Sequence, residues 1–172
     1  MTVRELQLLS LSSAETHRIA ATVAGALRLG DVVALTGELG AGKTCFVQGA
    51  ARALGVPGRV TSPSFVLRRE YQGQVPVLHL DVYRLSSLQE VLDIGYEEAV
   101  EGNWVTFIEW GDAMSPLLPV DHLEVEFRLP EPTGPRSEDA EPRVLMVRAH
   151  GHEWARRMAG LSADLHRWRK DA

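Results

Sequence analysis

The sequence predicts an α/β domain of three layers, with a mainly parallel sheet and an antiparallel portion near the C-terminus. Three observations carry this. Short β-branched runs alternate with stretches of helical periodicity, the pattern of strand–helix–strand units. A glycine-rich turn joins one such run, Asp31 to Thr36, directly to a helix. Further on, His122 to Leu129 alternates apolar and charged residues, as a half-exposed strand does. At 172 residues, 45% of them apolar, the chain is long enough to bury a core as one domain. The expected division is a principal domain over 1–152 and a C-terminal helical tail over 153–172.

The elements follow in order. Residues 3–9 suit a first strand. Ser12 and Glu15 have capping-box spacing. Ile19, Ala20, Val23, Ala24 and Leu27 then recur at helical spacing up to Gly30. Asp31 to Thr36 reads as a buried parallel strand. A second helix runs through Phe46, Val47, Ala50, Ala51 and Leu54 and stops near Gly55 and Pro57. Val66 to Tyr71 and Val75 to Tyr83 flank Gln72-Gly73-Gln74 as a hairpin. Ser87 and Glu90 repeat the capping-box spacing before a short helix ending at Asp93-Ile94-Gly95. Trp104 to Ile108 is a buried strand ending in Glu109, and Arg143 to Ala149 partners the strand that starts at His122. Four prolines and four acids within residues 130–142 predict a mobile loop. The tail after His152 is helical in pattern, with a break expected at Gly160 and a restart at Ser162.

The glycine-rich turn carries the chemistry. Gly37-Glu38-Leu39-Gly40-Ala41-Gly42-Lys43-Thr44 fits G-x-x-x-x-G-K-[ST], the phosphate-binding P-loop, and its setting between strand and helix is the right one. Glycines let backbone N–H groups turn inward around phosphates, and the following helix points its positive end at the same charge. Lys43 is expected to reach the β- and γ-phosphates and the Thr44 hydroxyl to ligate Mg²⁺. The chain has 16 arginines but only two lysines, Lys43 and Lys170. A slim ammonium therefore stands in the one loop where a planar guanidinium is a poor substitute. The fold expected is that of a P-loop NTPase.

Such a loop needs an acid at the end of a neighbouring strand to hold Mg²⁺ or its water. Glu109, closing Val105 to Ile108, and Asp81, closing Val77 to Leu80, both qualify. Glu109 is favoured for the metal. Asp81 then positions the attacking water or a group behind the metal ligands.

Other features read as structural. A net charge of −5 argues against a free-standing nucleic-acid binder. The lone cysteine, Cys45, excludes an intrachain disulfide and reads as a packed helix residue rather than a nucleophile. His150 and His152 read as surface histidines, since no further ligands accompany them. The tail, with Trp154, Met158, Leu161, Leu165 and Trp168 at helical intervals among arginines, reads as a packed terminal helix ahead of a docking helix for a partner. Met1 to Glu5 lacks the apolar run of a signal peptide and no stretch is long enough to span a bilayer, so a cytoplasmic location is expected.

Four segments together resemble one family. The P-loop from Gly37 to Thr44, Thr61-Ser62-Pro63-Ser64-Phe65, His79-Leu80-Asp81-Val82-Tyr83-Arg84 and Ile108-Glu109-Trp110 are similar to the TsaE family, also called YjeE. That family is the ATPase subunit of the bacterial machinery that makes threonylcarbamoyladenosine on tRNA. The resemblance covers roughly residues 5–150. It implies ATP as the nucleotide, and Thr61 in a switch-like loop near the γ-phosphate and Mg²⁺. It implies Asp81 and Glu109 in the active site with Trp110 beside it, Thr16 near the adenine pocket, and Arg143 as a basic residue after the variable loop. It also implies TsaB and TsaD as partners that hold the tRNA, with ATP hydrolysis resetting the complex between turnovers. Two other readings of the P-loop stand beside this one: a small-molecule kinase, using arginines such as Arg68, Arg69, Arg84 and Arg136, and a module gated by ATP without hydrolysing it. A guanine-reading N-K-x-D segment is absent, which favours ATP over GTP.

Overall fold

The computed structural model describes residues 4–38, 40–63, 67–82, 85–109, 112–131, 134–135 and 140–170. Seven strands form one sheet: β1 (Glu5–Ser10), β2 (Val32–Gly37), β3 (Arg68–Tyr71), β4 (Val77–Asp81), β5 (Val105–Glu109), β6 (His122–Arg128) and β7 (Arg143–His150). Their spatial order is β1-β7-β6-β2-β5-β4-β3. The four central strands, β6-β2-β5-β4, are parallel; β1, β7 and β3 join antiparallel at the two edges. The α/β class and the mixed sheet are as the sequence predicts, with the hairpin of β3 and β4 forming the second antiparallel edge.

Two helical layers cover the sheet. Helices α1 (Ser13–Ala24), α2 (Lys43–Ala53) and α5 (Gly151–Asp164) pack Ile19, Phe46, Val47, Trp154 and Met158 against one face, on Val33, Leu35, Phe107, Val125 and Val147. Helices α3 (Leu88–Asp93) and α4 (Tyr96–Glu101) cover the other, where Val91, Tyr96 and Ala99 meet Val32, Leu78, Leu80 and Ile108. Alternate residues of β2, β4 and β5 therefore enter different cores, which is why these strands read as unbroken apolar runs.

Three element boundaries differ from expectation. Helix α1 ends at Ala24, six residues before Gly30, because the next turn tightens onto Val23 and Ala24 carbonyls and feeds Ala26 and Leu27 into the core. Helix α4 has no side-chain N-cap; Gly95, in the left-handed region, starts it instead, so no capping signature announces it. Helix α5 runs through Gly160 without a break. Gly160 is exposed, and burial of Trp154, Met158, Leu161 and Leu165 outweighs its cost of about 1 kcal/mol.

The tail helix is anchored on its basic side too. Arg157 donates to both Asp31 carboxylate oxygens (2.9 and 2.6 Å) and to the Ala26 carbonyl, and its guanidinium lies 3.8 Å from the centre of the Trp154 ring. Among the described residues no helix is long and apolar enough to cross a membrane.

Candidate functional site

The site forms where β2, β4 and β5 end together, the place where open parallel sheets bind ligands. The register puts Asp81 beside Glu109 and Glu109 beside Leu35, so both acids stand just below the loop that leaves β2 at Gly37. Asp81 and Glu109 share the parity of Val77 and Phe107, and so lie on the sheet face that α1 and α2 cover.

The loop is fixed from several sides. At Gly37, with φ of 139°, a Cβ would stand 2.7 Å from the Phe127 carbonyl oxygen; only glycine lets β2 turn so close to β6. Gly42 adopts φ of 110° and opens α2 without a side-chain cap. The first N–H groups of α2 are thus not taken by a capping side chain, which is the arrangement an anion needs. Phe46 and Phe127 meet edge to face at 5.8 Å beneath the loop. Arg143, opening β7, donates from Nε to the Ala41 carbonyl (3.1 Å) and from Nη2 to the Gly40 carbonyl (3.4 Å).

Lys43 is buried, and its Nζ donates to the carbonyls of Gly37 (2.6 Å) and Glu38 (3.4 Å). The next side chain makes the key connection. Thr44 Oγ1 donates to Glu109 Oε1 at 2.9 Å, bridging 65 residues of sequence. His79 Nε2 meets the same oxygen at 3.0 Å, and His79 is fully buried. Burial pushes the Glu109 carboxyl up. The His79 and Thr44 hydrogen bonds, with the nearby charges of His79 and Lys43, outweigh it and hold the group below the ordinary carboxylate value. Glu109 is thus ionised at neutral pH although only 5% exposed.

The other expected residues fall around this centre. Thr61 lies on the loop after α2, where the Tyr71 hydroxyl brackets its backbone N–H and carbonyl, each at 3.4 Å. Gln48 of α2 steadies the same loop by donating to the Val60 carbonyl (2.9 Å). Among the described residues the Thr61 side chain makes no hydrogen bond to Lys43, Thr44 or Glu109. On the other flank, Thr16 and Arg143 line a cavity of about 160 Å³ with Ser13, Gly40, Gly42 and Cys45. The Thr16 hydroxyl is paired with Ser10 Oγ at 2.8 Å and is buried. Burial pushes the Cys45 thiol up, which keeps it protonated and a poor nucleophile. Leu39, Ser64, Phe65, Tyr83, Arg84, Trp110 and Arg136, each part of a motif or reading above, lie outside the described residues.

Sequence reasoning overlooked His79. Its signal was a single polar residue inside Val77-Leu78-His79-Leu80, two positions before Asp81 and on the same face. The histidines further on form a separate group. His122 and His150 stack with ring centres 4.3 Å apart, and His150 pairs with Glu124 at 2.8 Å.

Comparison with known proteins identifies the family. A family model described as "Threonylcarbamoyl adenosine biosynthesis protein TsaE" matches residues 10–136. A protein of Treponema pallidum named tRNA threonylcarbamoyladenosine biosynthesis protein TsaE is 42% identical over 124 residues, covering 72% of this chain and 92% of that one. The Bacillus subtilis protein of the same name is 37% identical over 124 residues, covering 72% and 77%. The crystal structure of YdiB from Bacillus subtilis superposes with a TM-score of 0.75 at 30% identity, covering 95% of this chain and 97% of that one. The chain belongs to the TsaE family.

Proposed function

We propose that this protein binds ATP with Mg²⁺ at Gly37–Thr44, hydrolyses it slowly, and serves the formation of threonylcarbamoyladenosine on tRNA as a subunit acting on TsaB and TsaD. The observation that carries the reading is the bond from Thr44, next to Lys43 in the P-loop, to the ionised Glu109 at the end of β5. The relatives' printed names supply the tRNA product.

The donor chemistry suits magnesium. Thr44 offers a hydroxyl, and Glu109 and Asp81 offer carboxylates, all hard oxygen donors. Among the described residues no group of three or more His, Cys, Asp or Glu could hold a metal ion alone. A site that counts on nucleotide phosphates and water to complete its shell has this composition. When bound, the ion neutralises charge on the β- and γ-phosphate oxygens.

The chain's own groups divide the remaining work. The Lys43 ammonium, which donates to the Gly37 and Glu38 carbonyls, forms charge-assisted bonds to phosphate oxygens. The Thr44 hydroxyl donates its hydrogen bond to Glu109, which leaves the hydroxyl oxygen lone pairs for a metal. Asp81, level with Glu109, is placed to orient the water that attacks the γ-phosphorus. Thr61 answers to the γ-phosphate through movement of its loop, which Tyr71 and Gln48 tether at its backbone. Thr16 and Arg143 flank the cavity assigned to the adenine end. The protein works in the cytoplasm, where its tRNA substrate complex is found.

Phosphate release with TsaB and TsaD present, compared between the natural chain and Lys43→Ala, tests the reading. Loss of turnover by roughly 10²–10³-fold is expected; undiminished turnover overturns it. Recovery of both partners in an ATP-dependent pull-down tests the biology, and accumulation of a phosphorylated small molecule would instead establish a kinase.

A further inference from the structure

A buried imidazole with one nitrogen idle stands behind the site. His79 is fully buried on β4, and among the described residues its Nε2 meets the Glu109 carboxylate. Its Nδ1 is buried without a hydrogen-bond partner. Leucine or valine would fill this place in an otherwise apolar stretch without leaving a polar atom unsatisfied. What the imidazole adds is one donor, aimed at one carboxylate oxygen.

That oxygen is already engaged. Glu109 Oε1 accepts from Thr44 Oγ1 at 2.9 Å and from His79 Nε2 at 3.0 Å. Two donors on Oε1 fix the rotation of the carboxylate about its terminal bond, and neither bond occupies Oε2. The Thr44 donor sits in the first turn of α2, at the end of the loop expected to meet the nucleotide. The His79 donor belongs to β4, which is hydrogen-bonded to β5 on one side and β3 on the other.

We infer that His79 is a positioning residue for Glu109, holding its carboxylate in the orientation that faces the metal while Thr44 changes partners. The role requires a hydrogen on Nε2, the nitrogen that faces Glu109. Ligand-orienting partners of this kind act through metal affinity rather than nucleotide contact.

The inference rests on the reading of Glu109 as the acid beside magnesium, so both residues enter the test. Binding of a fluorescent ATP analogue is titrated with MgCl₂, and again in excess EDTA, for the natural chain, His79→Leu, His79→Gln, His79→Asn and Glu109→Gln. His79→Leu is expected to raise the half-saturating magnesium concentration about 10-fold and to leave metal-free nucleotide affinity unchanged. His79→Gln, whose amide reaches as far as Nε2, is expected to restore the natural requirement, whereas the shorter His79→Asn is not. Should His79→Leu fail to fold, the Gln and Asn variants decide alone, and equal magnesium requirements in those two overturn the proposal. An unchanged requirement in His79→Leu, with a raised one in Glu109→Gln, overturns the role of His79 and spares that of Glu109. An unchanged requirement in Glu109→Gln overturns the metal-side reading and the positioning role with it.

Discussion

The two halves of the sheet bury their residues differently and are built for different work. In β2, β4 and β5 almost every residue is buried, and the ionisable groups are Asp81 and Glu109 at the last positions of β4 and β5 and His79 two positions before Asp81. In β1, β7 and β6 one face packs under α1 and α5. The other carries Glu5, Gln7, Glu124, Glu126, Arg128 and Arg148 alongside the apolar Leu9, Val144 and Met146. The parallel half cannot place charge along its length, so it places it where strands stop, and the stops converge. The antiparallel half spreads charge over a wet face, where each pair is worth little. Substitutions in the first half should therefore change chemistry, and in the second stability.

The largest expected effect is on stability. Trp154, 1% exposed at the heart of the α5 contact, is the largest fully buried side chain in the molecule's described part. Trp154→Ala should destabilise the fold by about 3–5 kcal/mol, read as a shifted urea midpoint. Nucleotide affinity measured where the variant is still folded should be unchanged. A matching loss of affinity would mean that the two halves are coupled.

Glu109→Gln reverses the pattern. The amide oxygen still accepts from Thr44 and His79, so the urea midpoint should fall only modestly, through loss of the charge that its surroundings favour. Turnover of ATP should fall roughly 10²-fold, because the charge facing the phosphates is gone. A large fall in stability would show that the ionised carboxylate also holds the strand ends together.

The contrast also explains what was legible in the sequence. The P-loop is contiguous, so its eight residues announce themselves. Asp81 and Glu109 were legible as acids that close apolar runs, each from its own strand. The bond between Thr44 and Glu109, and that between His79 and Glu109, were not, because they exist only once β4 and β5 pair in register with β2 alongside. Helix α3 was visible through its Ser87 and Glu90 capping box, which the structure contains, whereas α4 starts at a glycine that offers no such mark. Gly160 misled because helix propensity is local and the burial that overrules it is not. The carbonyl brace from Arg143 to Gly40 and Ala41 spans about a hundred residues and has no local signature.

A pH dependence should belong to the antiparallel half. His122 is 8% exposed and stacks on His150. Burial lowers its pKa below the ordinary value of 6.5; the Pro119 carbonyl bond opposes this and the His150 charge adds to it. The unfolded chain then takes up a proton that the folded chain refuses, so stability falls as pH drops below 6.5 and is flat above it. Urea midpoints between pH 7.5 and 5.5 should show this slope, and His122→Phe, which keeps a ring in the stack, should flatten it. An equal slope in the variant would assign the effect to other groups.

The smallest effect expected is at Arg148, and it is the sharpest test of the division. Its Nε donates to Glu5 Oε2 and its Nη1 to Glu126 Oε2, each at 2.7 Å, with Glu124 Oε1 at 3.3 Å. One guanidinium thus ties β1, β7 and β6 across their open face. Removing it leaves three glutamates close together, although Glu124 keeps His150 and Glu126 keeps Arg128. The pairs are solvated, with the Arg148 side chain 25% exposed, so Arg148→Ala should cost only about 0.5–1 kcal/mol. Added salt should narrow the gap between the two chains, since it screens the natural attraction and the new repulsion alike. ATP turnover should not move. A change in turnover would mean that charge on the antiparallel face reaches the P-loop through β6, whose end at Phe127 lies directly against Gly37.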